Sequence, residues 1–171
     1  MKTRRTWFGF SLIEVVIAIA IVTGGVAVIL GLLPSMARQS IDSADTQTAL
    51  RLADSVQVQL VADASGGFDA FASTIPVMTG DPTIGRHYVA ERDGSNLRPE
   101  TGGENPSRGQ YFLIVVRRYA SPPLAYDSQA GYLATNVVVA WPYRPLTPGG
   151  LSQATDPGSR ELVSFNLAIN R

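Results

Sequence analysis

The sequence contains 171 residues, of which 45% are hydrophobic and 16% charged, enough for one globular domain plus an extension. It has no cysteine, which excludes a disulfide framework and a thiolate metal site. Its 14 basic and 14 acidic residues balance, and it has no basic stripe with interleaved aromatic residues of the kind that binds nucleic acid. Three classes of function remain possible: an enzyme, a binding module and a structural protein.

An apolar run from Phe10 to Leu33 comes first, and its only strongly polar side chains are Ser11, Glu14 and Thr23. As a helix it would extend about 36 Å, against about 30 Å for the hydrocarbon core of a bilayer, so it can cross a membrane. The preceding basic residues are Lys2, Arg4 and Arg5. Because no acidic residue lies among them, the positive-inside rule predicts a cytoplasmic N-terminus and an external remainder.

Two simpler interpretations of this run are a plain signal anchor and a cleaved secretory signal. The sequence Ser35-Met36-Ala37 offers a small-x-small pattern that a signal peptidase could accept. However, the run is much longer than the usual 7–15 residues of a secretory signal core, and it contains Glu14. A carboxylate in hydrocarbon costs about 2.5–3.5 kcal/mol on insertion scales, so its presence favours a specific role.

The stretch Gly9-Phe10-Ser11-Leu12-Ile13-Glu14, between a short basic leader and a long apolar helix, resembles the class III signal of type IV prepilins and type II secretion pseudopilins. The match covers about the first 35 residues, with Phe8 rather than Lys or Arg directly before Gly9. Leu32-Leu33-Pro34, the strand before Asp93-Gly94, and Val138-Val139-Ala140-Trp141-Pro142 also resemble the prepilin-like "Verru_Chthon cassette" proteins.

This resemblance implies that residues 1–9 form a leader, which prepilin peptidase removes by cutting between Gly9 and Phe10 before N-methylating Phe10. It implies that residues 10–34 form a transmembrane or filament stem. There Glu14 would pair with the α-ammonium of Phe10 on a neighbouring subunit, as buried polar groups set register in coiled coils. The implied partners are the peptidase/N-methyltransferase, other pilin or pseudopilin subunits, an inner-membrane assembly platform and the lipid bilayer. No cofactor is implied.

Beyond the stem, Pro34 should kink or loosen the helix, because it cannot donate a hydrogen bond to the carbonyl of Leu30. Helical periodicity continues through residues 35–64, where the helix becomes amphipathic. The apolar positions are Ala49, Leu52, Ala53, Val56 and Leu60, and the polar positions include Asp42, Asp45, Arg51, Asp54 and Gln57. The pattern predicts one helix from about Ser11 to Ala64, with the apolar face of its second half in a core.

Residues 65–171 are predicted to form a β-rich head, because the apolar period changes to two. The predicted strands are Arg86–Arg92, Tyr111–Tyr119, Thr135–Trp141 and Glu161–Ile169. Asp93-Gly94 is a hairpin-turn signal, and no helix-length pattern separates the later strands, which indicates an antiparallel meander. The expected fold class is therefore α+β and pilin-like: a long N-terminal helix packed on an antiparallel sheet.

Signals for catalysis are weak. His87 is the only histidine, and a lone histidine in a strand is far more often a packed or surface residue than a catalyst. Asp93-Gly94-Ser95-Asn96 begins like a calcium loop but lacks its ligand alternation and closing Glu, so a turn is the better interpretation.

Taken together, the sequence predicts a minor pilin or pseudopilin, a structural protein rather than an enzyme. It would reside in the inner membrane with a single pass and a periplasmic head, or within a filament. The alternative is a membrane-anchored periplasmic enzyme or binding module with a signal-anchor helix.

Overall fold

A computed structural model describes residues 11–79, 84–100, 109–143 and 161–171 of the chain. In these described ranges, two helices precede five strands. The helices are α1 (Leu12–Ala64) and α2 (Phe68–Thr74), and the strands are β1 (Arg86–Glu91), β2 (Arg98–Pro99), β3 (Gln110–Arg118), β4 (Tyr132–Trp141) and β5 (Glu161–Asn170). The layout is α+β, as the sequence predicts.

The chain divides into two compact units, Met1–Ser43 and Ala44–Arg171, and α1 contributes residues to both. We call the described residues of the first unit the stem and the second unit the head. The predicted bounds of α1 are correct to one residue, and the helix assignment includes Pro34. Its predicted amphipathic half is confirmed within the head, where Ala49, Leu52, Val56 and Leu60 are all buried.

The five strands of the head form one antiparallel sheet in the order β2-β1-β3-β4-β5. The predicted meander is confirmed for β1, β3, β4 and β5, whose bounds agree with the prediction to within three residues. The short β2 pairs with the outer edge of β1, through Tyr88↔Pro99 and Val89↔Arg98, and was not predicted. A proline fits there because an edge strand needs hydrogen-bond donors on one side only.

The hydrophobic core of the head lies between α1 and one face of this sheet. Alternating residues of the central strands point at the helix because successive side chains in a strand face opposite sides. The largest fully buried members are Tyr88, Phe112, Leu52, Leu60, Ile75, Ile114, Leu133 and Ile169. A second buried cluster on the other face contains Val89, Leu113, Val115, Ala140 and Tyr143. Burial on both faces explains why β3 reads as a continuous apolar run.

The predicted turn at Asp93-Gly94 joins β1 to the segment leading to β2. Gly94 has φ of 81°, and its N–H donates to the carbonyl of Glu91 at 2.9 Å. The Glu91 N–H donates in return to the carbonyl of Ser95 at 3.0 Å. A Cβ on residue 94 would also lie 3.1 Å from Thr48 Cγ2 on α1. Glycine is required there by conformation and by the close approach to the helix.

Candidate functional site

The predicted site residues fall in two groups. Gly9 and Phe10, the predicted cleavage and methylation positions, lie outside the described residues. Glu14 and Pro34 both lie within α1. The processing step therefore remains a prediction, whereas the surroundings of Glu14 can be described atom by atom.

Glu14 takes part in the hydrogen bonds that begin α1. Its Oε2 accepts a bond from the Ser11 N–H at 3.0 Å, and Ser11 Oγ accepts one from the Ile13 N–H at 3.3 Å. Ser11 lies directly before the helix, and Glu14 lies three residues after Ser11. This is the spacing of a capping box. Each side chain satisfies a backbone donor that the first turn of a helix leaves unpaired. This role was not predicted from the sequence, although Ser-x-x-Glu before an apolar run is its signal.

The stem is exposed throughout, and its surface is apolar from Leu12 to Leu33. Within α1, an 18-residue window has a mean hydropathy of 2.8, and none of it is buried. Large side chains there keep about half or more of their surface exposed, including Leu12 (85%), Ile21 (69%), Val28 (63%) and Leu33 (53%). By length and composition α1 can therefore cross a membrane, and the lack of burial separates it from the core helix of a soluble protein.

Small residues and Pro34 shape the remainder of the stem. A Cβ added to Gly24, Gly25 or Gly31 would meet nothing within 4 Å. Glycine is therefore not required there by contacts within the described chain, and small residues at these positions allow a neighbouring helix to approach closely in lipid. After Pro34, Ser35 Oγ donates to the carbonyl of Leu32 at 2.8 Å. The predicted kink at Pro34 stays a prediction.

In the head, the buried Asp45 is the centre of a polar cluster. Its carboxylate accepts bonds from Arg92 Nε at 3.0 Å and Arg92 Nη2 at 2.9 Å, and from the Tyr111 hydroxyl at 2.6 Å. The Arg92 guanidinium also lies 4.7 Å from the centroid of the Tyr111 ring. Burial would raise the pKa of Asp45, but the bonds from Arg92 and Tyr111 outweigh it and lower that pKa.

The placement of Asp45 corrects the sequence interpretation, which put it among the polar positions away from the apolar face. Asp45 is only 5% exposed and lies on the buried side of α1. It precedes Ala49 by four residues and Leu52 by seven, so it belongs to the core stripe by spacing. The periodicity was sufficient to find this position, but the arginine and tyrosine that make its burial possible are 47 and 66 residues away.

A second cluster of the same composition surrounds Asp63. Its Oδ2 accepts bonds from Arg86 Nη2 at 2.7 Å and the Tyr88 hydroxyl at 2.8 Å. Its Oδ1 accepts a bond from Gln59 Nε2 at 2.8 Å. Burial and the bond to Asp63 raise the pKa of Tyr88. Asp45 and Asp63 are 18 residues apart, or five turns of helix, so both face the sheet.

The remaining candidates for chemistry lie apart from these clusters. His87 is in β1, with Nδ1 3.9 Å from Glu100 Oε2, and Glu100 Oε1 accepts a bond from the Tyr143 hydroxyl at 2.9 Å. Asp93 Oδ1 accepts a bond from the Ser95 N–H at 2.8 Å, and bonds with Ser95 lower the pKa of Asp93. Across the described ranges, no group of three or more His, Asp or Glu side chains could hold a metal ion.

Comparison of the chain with models of known protein families, with curated proteins and with solved structures finds no match. The chain is thus described by its own features: a long N-terminal helix, apolar and exposed in its first part, which in the head packs on an antiparallel sheet.

Proposed function

We propose that this protein is a minor pilin or pseudopilin, a structural subunit of a type IV pilus or of a type II secretion pseudopilus. Prepilin peptidase cuts it between Gly9 and Phe10 and methylates Phe10. The stem then holds it in the inner membrane, with the head in the periplasm, until it enters a filament. The observation that carries this proposal is a wholly exposed stem whose apolar run, from Leu12 to Leu33, contains a single acidic residue, Glu14, the fifth residue after the proposed cleavage site.

The surroundings of Glu14 support a role in assembly. In the single chain, one carboxylate oxygen, Oε2, is used by the capping bond from Ser11. An ionised carboxylate can accept several hydrogen bonds, so Oε1 can still receive the α-ammonium of Phe10 from a neighbouring subunit. The cap lowers the cost of keeping a charge in an apolar stem, and the second bond fixes the axial offset between adjacent stems. One side chain then serves both the free and the assembled subunit.

The direct test is mass spectrometry of the N-terminus of the protein from native membranes. We expect loss of residues 1–9 and a methyl group on Phe10, because cleavage there leaves the apolar helix on the product. An intact Met1 would contradict processing. A new N-terminus at Arg38 would instead indicate a secretory signal cut after Ser35-Met36-Ala37.

The mechanism is tested by Glu14→Leu, with Glu14→Gln as the matched control. Removing one partner of a buried ion pair costs about 3–5 kcal/mol, so Glu14→Leu should insert into the membrane and be cleaved yet fail to co-assemble. Glu14→Gln keeps a side chain that can complete the capping box but loses the charge. Crosslinking of stem positions to partner pilins measures assembly.

We expect Glu14→Gln to fail in the same way as Glu14→Leu. If Glu14→Gln assembles normally and Glu14→Leu does not, capping rather than ion pairing is the function of Glu14. If both assemble as well as the wild type, Glu14 has no role in assembly and the proposed mechanism is wrong.

A further inference from the structure

Ser11 receives the hydrogen bonds that begin α1. In a regular helix each N–H donates to the carbonyl four residues earlier. By that rule the Ile13 N–H would bond the carbonyl of Gly9, and the next N–H would bond that of Phe10. Instead, the Ile13 N–H donates to Ser11 Oγ at 3.3 Å, and the Glu14 N–H donates to the Ser11 carbonyl at 3.0 Å. Ser11 thus uses the donors that would extend the helix through residues 9 and 10.

The carbonyl of Gly9 is the group that hydrolysis attacks in the proposed cleavage. Water adds to its carbon and the bond to the Phe10 nitrogen breaks, which leaves a carboxylate on Gly9 and an amine on Phe10. A peptidase must place hydrogen-bond donors at the oxygen of this carbonyl, where charge develops. In a helix that oxygen would already be engaged by the Ile13 N–H. A start of α1 after the scissile bond therefore favours cleavage.

We propose that Ser11 is a positioning residue for this cleavage. By capping α1, its hydroxyl keeps the Gly9–Phe10 peptide outside the helix, where the peptidase can bind it in an extended form. Serine is among the preferred N-cap residues, and the low helix propensity of Gly9 acts in the same direction. The inference deepens the proposed function and rests on it, since it names the side chain that makes the scissile bond accessible.

The two bonds of the capping box then have different roles. The bond from the Ser11 N–H ends on Glu14 Oε2, on the carboxylate that we assign to assembly. The bond from the Ile13 N–H ends on the Ser11 hydroxyl and does not involve Glu14. Glu14→Leu keeps this second bond, so it should be cleaved like the wild type. Loss of the Ser11 hydroxyl should instead slow cleavage.

The size and kind of the effect follow from a helix equilibrium. When opening is fast, proteolysis follows the population of the open form. Replacing an N-cap residue typically changes such an equilibrium by about fivefold, so the open fraction at Gly9 should fall by that factor. A lower fraction of the binding-competent form weakens apparent affinity. The KM of the peptidase for this substrate should therefore rise, while kcat stays unchanged.

The test uses the full chain in detergent with purified prepilin peptidase, and mass spectrometry measures initial rates of cleavage after Gly9. Ser11→Thr and Ser11→Val are the matched pair, because their side chains have nearly the same shape and similar helix propensity, but only threonine offers a capping oxygen. Ser11→Asn is the third variant. Asparagine caps a helix about as well as serine but has no hydroxyl, so it separates capping from direct recognition of the hydroxyl by the peptidase.

We expect the KM of Ser11→Val to be about fivefold above that of Ser11→Thr, with Ser11→Asn within about twofold of the wild type. Equal KM values for Ser11→Val and Ser11→Thr would overturn the inference. It would also be overturned if Ser11→Asn were as poor a substrate as Ser11→Val, or if Ser11→Val lowered kcat alone. These outcomes leave the proposed function intact. A wild-type chain that is not cleaved after Gly9 would overturn both.

Discussion

The two parts of α1 use similar amino acids in different spatial patterns. In residues 12–43 every side chain is exposed, and from residue 12 to residue 33 apolar residues occupy all sides of the helix. In residues 44–64 the buried side chains form a single stripe, spaced by three or four residues. Both parts contain many Ala and Leu residues, which have high helix propensity, so composition favours a helix in each.

This difference shows that the burial of a helix depends on the spacing of its apolar residues more than on their number. An apolar stripe lies on one side of the helix and can be buried completely against one sheet, as in the head. An apolar surface on all sides requires a surrounding apolar medium, either lipid or other helices. Three changes to the chain test that distinction.

The largest effect should come from removing the stem. A chain that begins at Ser35 should be soluble without detergent and folded, whereas the full chain should require detergent or membranes. The reason is that the apolar stripe after Pro34 is covered within the head, and the apolar surface before it is not. Circular dichroism should show both helix and antiparallel strand. Aggregation of the truncated chain, or loss of its strand signal, would contradict the distinction.

The second test compares two leucines on the same helix within that truncated chain. Leu60 has no exposed surface and lies in the core stripe, whereas Leu50 is 54% exposed. Leu60→Ala should lower the free energy of unfolding by about 2–5 kcal/mol through lost burial and a cavity. Leu50→Ala should change it by less than about 0.5 kcal/mol. Urea unfolding measures both, and equal losses would show that the stripe is not the core.

A smaller, pH-dependent effect is expected at Asp45. Because its pKa is lowered in the folded head, ionised Asp45 stabilises the fold above the ordinary aspartate pKa of about 4. That contribution should be lost as the pH falls through the lowered pKa. Asp45→Asn should therefore cost about 1–3 kcal/mol at pH 7 and progressively less below pH 4.

Asp54→Asn is the matched control, since Asp54 is exposed on the same helix and should change stability by less than about 0.5 kcal/mol. A pH-independent cost of Asp45→Asn would mean that the shape of the side chain matters there and its charge does not.

Periodicity predicted most of this fold because the long elements carry strong patterns. α1 and the four long strands were found within three residues of their ends. α2 was missed because it has seven residues, begins directly after Gly66-Gly67 and has no side-chain cap at Gly67. β2 was missed because two residues, one of them proline, carry no period.

The candidate site was predictable only in part. The local motif identified Glu14, and its capping bond spans three residues. The pairing of Asp45 with Arg92 and Tyr111 depends on how the strands are arranged around α1, which no local pattern contains. A buried aspartate looks the same in sequence as an exposed one until its partners are placed.

The clusters at Asp45 and Asp63 give the head a mechanical property. They attach α1 to the sheet at two points about 27 Å apart along the helix, at 1.5 Å per residue. Sliding the helix by one turn, 5.4 Å, would break both ion pairs together. A pull along the helix axis is therefore resisted in shear at two points at once, instead of peeling contacts from one end. Single-molecule pulling should show a rupture force that falls when both aspartates are changed to asparagine, and an unchanged force would mean that apolar packing alone carries the load.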